Sequence, residues 1–159
     1  MKLFAIALLT LALALSASAA TPIDTVAQLY RVSAWEAIFT EPDWTEQQLI
    51  DQPAAVLQKY FDEQLSKLIL RDRECVAKTQ EICRLDFDPI WDSQDPGAED
   101  LKVLPGPRPN TVKVEFLYPG DGEKIQLVYR MTKTPKGWRI SDIEYKGGLS
   151  LLKILSAKL

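Results

Sequence analysis

The chain contains no histidine. That absence removes Ser-His-Asp and Cys-His nucleophilic catalysis, histidine-ligated metal centres and the commonest pH-sensing side chain. Cysteine is scarce: Cys75 and Cys83 are the two, too few for a cysteine-ligated zinc site. An excess of basic charge is also missing. The formal net charge is −3 and the pI about 5.1, which argues against a nucleic-acid-binding face. Beyond residue 19 no apolar run approaches the roughly 20 residues of a membrane span. Internal repeats are absent as well. What remains is ordinary: 159 residues, 47% hydrophobic and 26% charged, the size and balance of one globular domain.

The first segment reads as an address. Lys2 is followed by an apolar run from Leu3 to Leu15, interrupted only by Thr10, and then by Ala17-Ser18-Ala19. A short charged start, a short apolar stretch and a small-x-small site form a signal peptide. Cleavage is expected after Ala19 or Ala20, giving residues 1–19 as signal and 20–159 as one domain, periplasmic or secreted. No cysteine stands directly after the cleavage site, which argues against a lipoprotein.

Export favours a disulfide between Cys75 and Cys83. In one continuous helix their Cα atoms would lie about 12 Å apart, whereas a disulfide tolerates no more than about 7 Å. The preceding helix is therefore expected to stop near Cys75, with Ala77–Gln80 turning back.

Thr21-Pro22-Ile23-Asp24 carries a cap, a first-turn proline and a capping-box acid. Apolar spacing from Ile23 to Ile38 predicts a helix over about 22–38, broken by Glu41-Pro42-Asp43, with a short helix from Trp44 to Ile50. Leu57, Phe61, Leu65 and Leu68 share a helical face, predicting one amphipathic helix from Pro53 to about Glu74 or Cys75. Residues 84–110 hold five of the ten prolines and read as irregular, with at most a short strand before Pro89. The period then becomes two. Val112–Leu117, Ile125–Thr132 and Trp138–Tyr145, separated by Pro119-Gly120-Asp121-Gly122 and Thr134-Pro135-Lys136-Gly137, predict an antiparallel meander of three strands. Trp138 and Ile140 fall out of phase with Ile143 and Tyr145. Either a β-bulge near Ser141-Asp142 restores the phase or the strand is buried on both faces. The leucine-rich tail after Gly147-Gly148 is either a short closing helix or an exposed apolar tail, and the latter would suggest a homodimer or partner contact.

Helices followed by a meander that ends in Gly137-Trp138-Arg139-Ile140 and Asp142-Ile143 resemble the nuclear-transport-factor-2-like (cystatin-like) superfamily. Leu85-Asp86-Phe87-Asp88-Pro89, Gln94-Asp95, the Trp138–Tyr145 strand, Gly148 and Leu151 are similar to a bacterial envelope family known only as a domain of unknown function. The resemblance covers about residues 50–155. It implies an α+β fold: N-terminal helices packed on a curved antiparallel sheet, a conical pocket and a short C-terminal helix. It implies no particular activity.

Two groups of residues are candidates for function. Asp86, Asp88, Asp92 and Asp95 surround Trp91. Their spacing does not match an EF-hand, and clustered aspartates usually serve turns. Acid beside aromatic also suits a loop presented to a protein partner. Tyr30, Tyr60, Tyr129, Asp142 and Tyr145 are the second group, since pocketed members of the resembled fold line the cone with such side chains. An aspartate buried there would be a general base if its pKa were raised. The expected role is non-enzymatic: an exported binding or accessory protein with a protein partner in the envelope, an immunity-type protein being one version, with no cofactor, no metal and no nucleic acid. The alternative is a pocket for a small apolar ligand, with isomerase- or hydrolase-like chemistry as its extension.

Overall fold

The computed structural model describes residues 20–37 and 48–158. The expected signal segment 1–19, the helix end at Ile38, the break at Glu41-Pro42-Asp43 and Trp44 lie outside the described residues.

Helix α1 (Pro22–Ser33) starts as its capping box predicts. The Asp24 amide donates to Thr21 Oγ1 at 3.2 Å, and the Thr21 amide donates back to Asp24 Oδ2 at 2.8 Å. The helix buries Val26, Leu29 and Tyr30. Short 3-10 turns follow at Ala34–Ala37 and Leu49–Asp51.

The single long helix expected from Pro53 is two helices. Helix α2 (Ala54–Tyr60) stops at Phe61, whose backbone is extended and bridges Ile140 in the sheet. Asp62 then donates its amide to the Ile140 carbonyl at 2.9 Å and caps α3 (Glu63–Thr79) through Leu65 N–H at 2.8 Å. The break leaves no amide orphaned: the Asp62 and Leu65 N–H groups, which a continuous helix would pair with carbonyls four residues back, bond the sheet and the Asp62 cap instead. Phe61 and Leu65 are both buried, on either side of the break.

Helix α3 also runs past Cys75, the end expected from the cysteine spacing. It closes at Thr79, with Gln80 in the left-handed conformation (φ 60°) donating to the Val76 carbonyl. The reversal after Gln80 brings Cys83 back alongside the last turn. The two Cα atoms sit 6.2 Å apart and the disulfide forms.

Four strands make one antiparallel sheet in the order β1-β2-β3-β4: β1 (Glu99–Pro105), β2 (Thr111–Leu117), β3 (Lys124–Thr134) and β4 (Gly137–Glu144). Strand β1 lies in the stretch expected to be irregular. It is an edge strand with a register shift between Glu99 and Lys102, which keeps that edge from being a flat pairing template. The bulge in β4 is present. Arg130 pairs with Asp142 while Met131 pairs with Ile140, so Ser141 is the extra residue. Ile140, Ile143 and Tyr145 are thereby all buried.

The inner face of the sheet carries Val112, Val114, Phe116, Leu127, Tyr129 and Ile140, packed under α1 and α3. Helix α4 (Leu151–Ser156) closes the chain with Leu151 and Leu155 buried. Arg71 Nη2 and Arg84 Nε donate to the Leu155 and Ala157 carbonyls at 2.6 and 2.9 Å. Among the described residues no helix is long and apolar enough to cross a membrane.

Candidate functional site

Tyr30 on α1 faces Tyr129 on β3 across the interior, their hydroxyls 2.7 Å apart. Tyr30 also donates to the Ile90 carbonyl at 2.7 Å. A phenol has one proton, so Tyr129 is the donor to Tyr30. Tyr145, beyond the end of β4, donates to the Pro89 carbonyl at 3.1 Å. Three of the five expected pocket residues therefore converge, and their hydroxyls all serve one purpose. They hold the backbone of Pro89-Ile90, directly or through one another.

That backbone belongs to the acid-aromatic loop. Ile90 is fully buried and Trp91 is 1% exposed. The indole packs edge-on against Tyr30 and Phe116, with ring centroids 5.2 and 5.8 Å apart. Its Nε1–H donates to Glu36 Oε2 at 2.8 Å, and the other carboxylate oxygen accepts Leu49 N–H at 2.9 Å. Pro89-Ile90-Trp91 thus plugs the space between α1 and the sheet, so the expected conical pocket is filled. Trp91 and Asp88, expected on a contact surface, are in the interior instead. The reason is energetic: an indole with a satisfied N–H gains more by burial than by exposure.

Asp88 anchors the base of the plug. Oδ1 accepts Ile90 N–H at 2.9 Å, its own amide donates to the Ser93 carbonyl at 2.8 Å, and Oδ2 has no hydrogen-bond partner among the described residues. Burial pushes its pKa up to about 7, and the nearby Glu36 charge adds to the rise. Burial also raises Glu36, and the Trp91 and Leu49 hydrogen bonds oppose that rise. Burial raises the three tyrosines too. Desolvated carboxyls and phenols of this kind occur at catalytic centres. Here their polar atoms point at the protein's own plug.

The remaining candidates stand apart. Tyr60 is half-buried beside Trp35 and Val56, in a separate shallow groove. Asp142 is buried and accepts the Ile143 and Leu152 amides at 2.9 Å each, which fixes the start of α4. Asp86 and Asp95 are exposed, and Asp92 is half-buried with a left-handed backbone (φ 53°). Among the described residues no cluster of acidic or sulfur side chains could hold a metal ion. Glu36 is the residue that sequence reasoning misses. A charged residue next to Trp35 near a helix end gives no signal of its own.

An open, largely apolar concavity lies elsewhere. A groove of about 460 Å³ runs along the outer side of α3. Ile50, Ile69, Leu70, Val76, Ala77 and Leu85 give it an apolar lining, and Asp51, Arg73 and Glu74 add charges. Asp72 is the buried acid of its floor: Leu85 N–H donates to Oδ2 at 3.2 Å, and Arg84 forms an ion pair with Oδ1 at 3.6 Å. Arg73 donates to the Gln52 carbonyl at 2.7 Å.

No protein-family model matches the sequence, and no curated protein matches it. Among solved structures, the chain is similar to a phospholipid-binding protein from Ralstonia solanacearum in complex with a phospholipid, at 18% identity and a TM-score of 0.46, over 86% of this chain and 83% of that one.

Proposed function

We propose that this chain is an exported, non-catalytic binding protein that takes a small apolar molecule in the groove along α3. The observation that carries this is a contrast. The interior between α1 and the sheet is filled by Pro89-Ile90-Trp91, and the Tyr30 and Tyr145 hydroxyls are turned on that plug. The α3 groove is open and largely apolar, and its buried acid, Asp72, is held by Leu85 N–H and paired with Arg84. Its volume falls within the roughly 300–1,000 Å³ typical of ligand sites. The nearby disulfide and the Arg84–Asp72 pair hold the wall in place before binding, which lowers the ordering cost. The signal-like first segment and the disulfide fit an extracytoplasmic location. The protein-partner reading loses Trp91 and Asp88 as surface contacts, because both are buried.

The test is fluorescence titration of the mature chain with an apolar probe such as N-phenyl-1-naphthylamine, then its displacement by fatty acids of increasing length. Val76 is 39% exposed, so Val76→Glu should fold normally and weaken probe binding by about tenfold or more. A variant that folds and binds the probe as wild type does would reject the groove as the site.

A further inference from the structure

A second surface feature is independent of the groove and of the plug. The loop Pro105-Gly106-Pro107-Arg108-Pro109-Asn110 joins β1 to β2 and holds an arginine between two prolines. Proline fixes φ on both sides of Arg108. Thr111 clasps the same residue: Arg108 N–H donates to Thr111 Oγ1 at 3.1 Å, and Thr111 Oγ1–H donates to the Arg108 carbonyl at 2.6 Å. The loop is closed so tightly that a Cβ on Gly106 would sit 2.6 Å from the Thr111 carbonyl carbon. Asn110 takes the left-handed turn position (φ 56°). Arg108 is thus presented by a rigid backbone.

Its guanidinium meets Glu144 on β4, with Nη2 to Oε2 at 2.6 Å, and Arg130 Nε of β3 binds the other oxygen of the same carboxylate. One carboxylate therefore bridges and orients two guanidiniums. Each arginine uses one side-chain nitrogen in this contact, and a guanidinium has donors on all three. Both side chains are about half exposed, 52% and 56%. They stand at the junction of two concavities, and Lys153 of α4 lines one of them. Asp142 also lines that concavity, but its Oδ1 already accepts two amides. Two guanidiniums thus hold one largely covered carboxylate, and Lys153, whose Nζ donates to the Gly148 carbonyl at 3.0 Å, lines the same concavity.

We infer that Arg108, Arg130 and Lys153 form a binding site for a phosphate group, with Glu144 orienting the arginines. Arginine donors suit oxyanions because they bind two oxygens at once. Glu144 already fills the role of a planar, two-oxygen partner. The donors left over, with an ammonium on a further side, match a tetrahedral dianion better than a second carboxylate. A free phosphate or small phosphomonoester and the phosphate of a lipid headgroup present the same chemistry.

The experiment uses the mature chain at low ionic strength, with two probes. The first is inorganic phosphate, followed by backbone amide chemical shifts. The second is co-sedimentation with phosphatidylglycerol vesicles, compared with phosphatidylcholine vesicles. Shifts centred on Arg108, Arg130 and Lys153, weakened about tenfold in Arg108→Gln and in Arg130→Gln, support the site with a soluble phosphate. Selective co-sedimentation with the anionic vesicles, lost in the same variants, supports it with a headgroup. Lys67→Gln, on the exposed face of α3, serves as the charge-matched control and should behave as wild type. The inference is overturned if neither probe binds below about 1 mM, or if both arginine variants bind as the wild type does. It is overturned equally if Lys67→Gln weakens binding as much as they do, which would mark a diffuse charge effect.

Discussion

The Trp91 indole donates to the Glu36 carboxylate at 2.8 Å, joining the 3-10 turn after α1 to a proline-rich loop 55 residues away in the chain. This contact explains how a chain without regular structure between α3 and β1 still has an ordered interior. The loop is not spread over the surface. It is drawn inside by one buried acid and three tyrosines.

Breaking that contact should be costly. Trp91→Phe keeps most of the ring but removes the N–H, leaving Glu36 with Leu49 N–H as its remaining donor among the described residues. The expected loss is about 2–4 kcal/mol, from the unmet carboxylate and the smaller side chain. Urea denaturation monitored by far-UV circular dichroism measures it. A change within about 0.5 kcal/mol, the range of ordinary surface substitutions, would mean that the plug is not a structural element.

Stability should depend on pH through Asp88. Its pKa rises from 3.8 unfolded to about 7 folded, so the folded state binds the proton more tightly. The linked stabilisation is complete below about pH 4 and is lost as pH rises through about 7, by on the order of 4 kcal/mol at most. Glu36 shifts in the same direction. Denaturation midpoints for wild type and Asp88→Asn, compared from pH 4 to 8, should converge at the acid end and diverge at the alkaline end, with the variant more stable there. Parallel profiles would show that Asp88 does not titrate in this range.

The disulfide should matter locally. Cys75 lies inside α3 and Cys83 in the returning chain, so the bond pins the last turn of the helix. Denatured, unreduced protein should show no free thiol. Reduction, or Cys83→Ser, should lower stability by about 2–3 kcal/mol and speed amide exchange at Ala77–Thr79. Unchanged exchange there would mean that the Gln80 cap alone closes the helix.

The bulge in β4 is legible in the sequence because it rests on local phase. An odd step between Ile140 and Ile143 permits few solutions, and Ser141 supplies the extra residue. The break at Phe61-Asp62 has no such local sign. Both sides keep the same apolar face, and what breaks the helix is a hydrogen bond to Ile140, about eighty residues away in the chain. Strand β1 is hidden by the prolines around it, although Glu99–Leu104 contains none. The plug is the largest gap. Composition marks a loop by its prolines and acids, but where a loop goes depends on partners such as Glu36 and Tyr129 that carry no local sign. Tyr30, Tyr129 and Tyr145 stand out in the sequence as an interior group, yet what they surround is the chain itself.

The most direct test is an amide chemical-shift titration of the mature chain with a soluble fatty acid below its micelle concentration. The account predicts saturable shifts confined to residues around Ile50, Leu70, Val76, Ala77 and Leu85, with the amides of Ile90 and Trp91 unmoved. Shifts centred on Tyr30, Tyr129 and the Pro89–Trp91 plug would contradict it, since they would show the interior opening to receive the ligand.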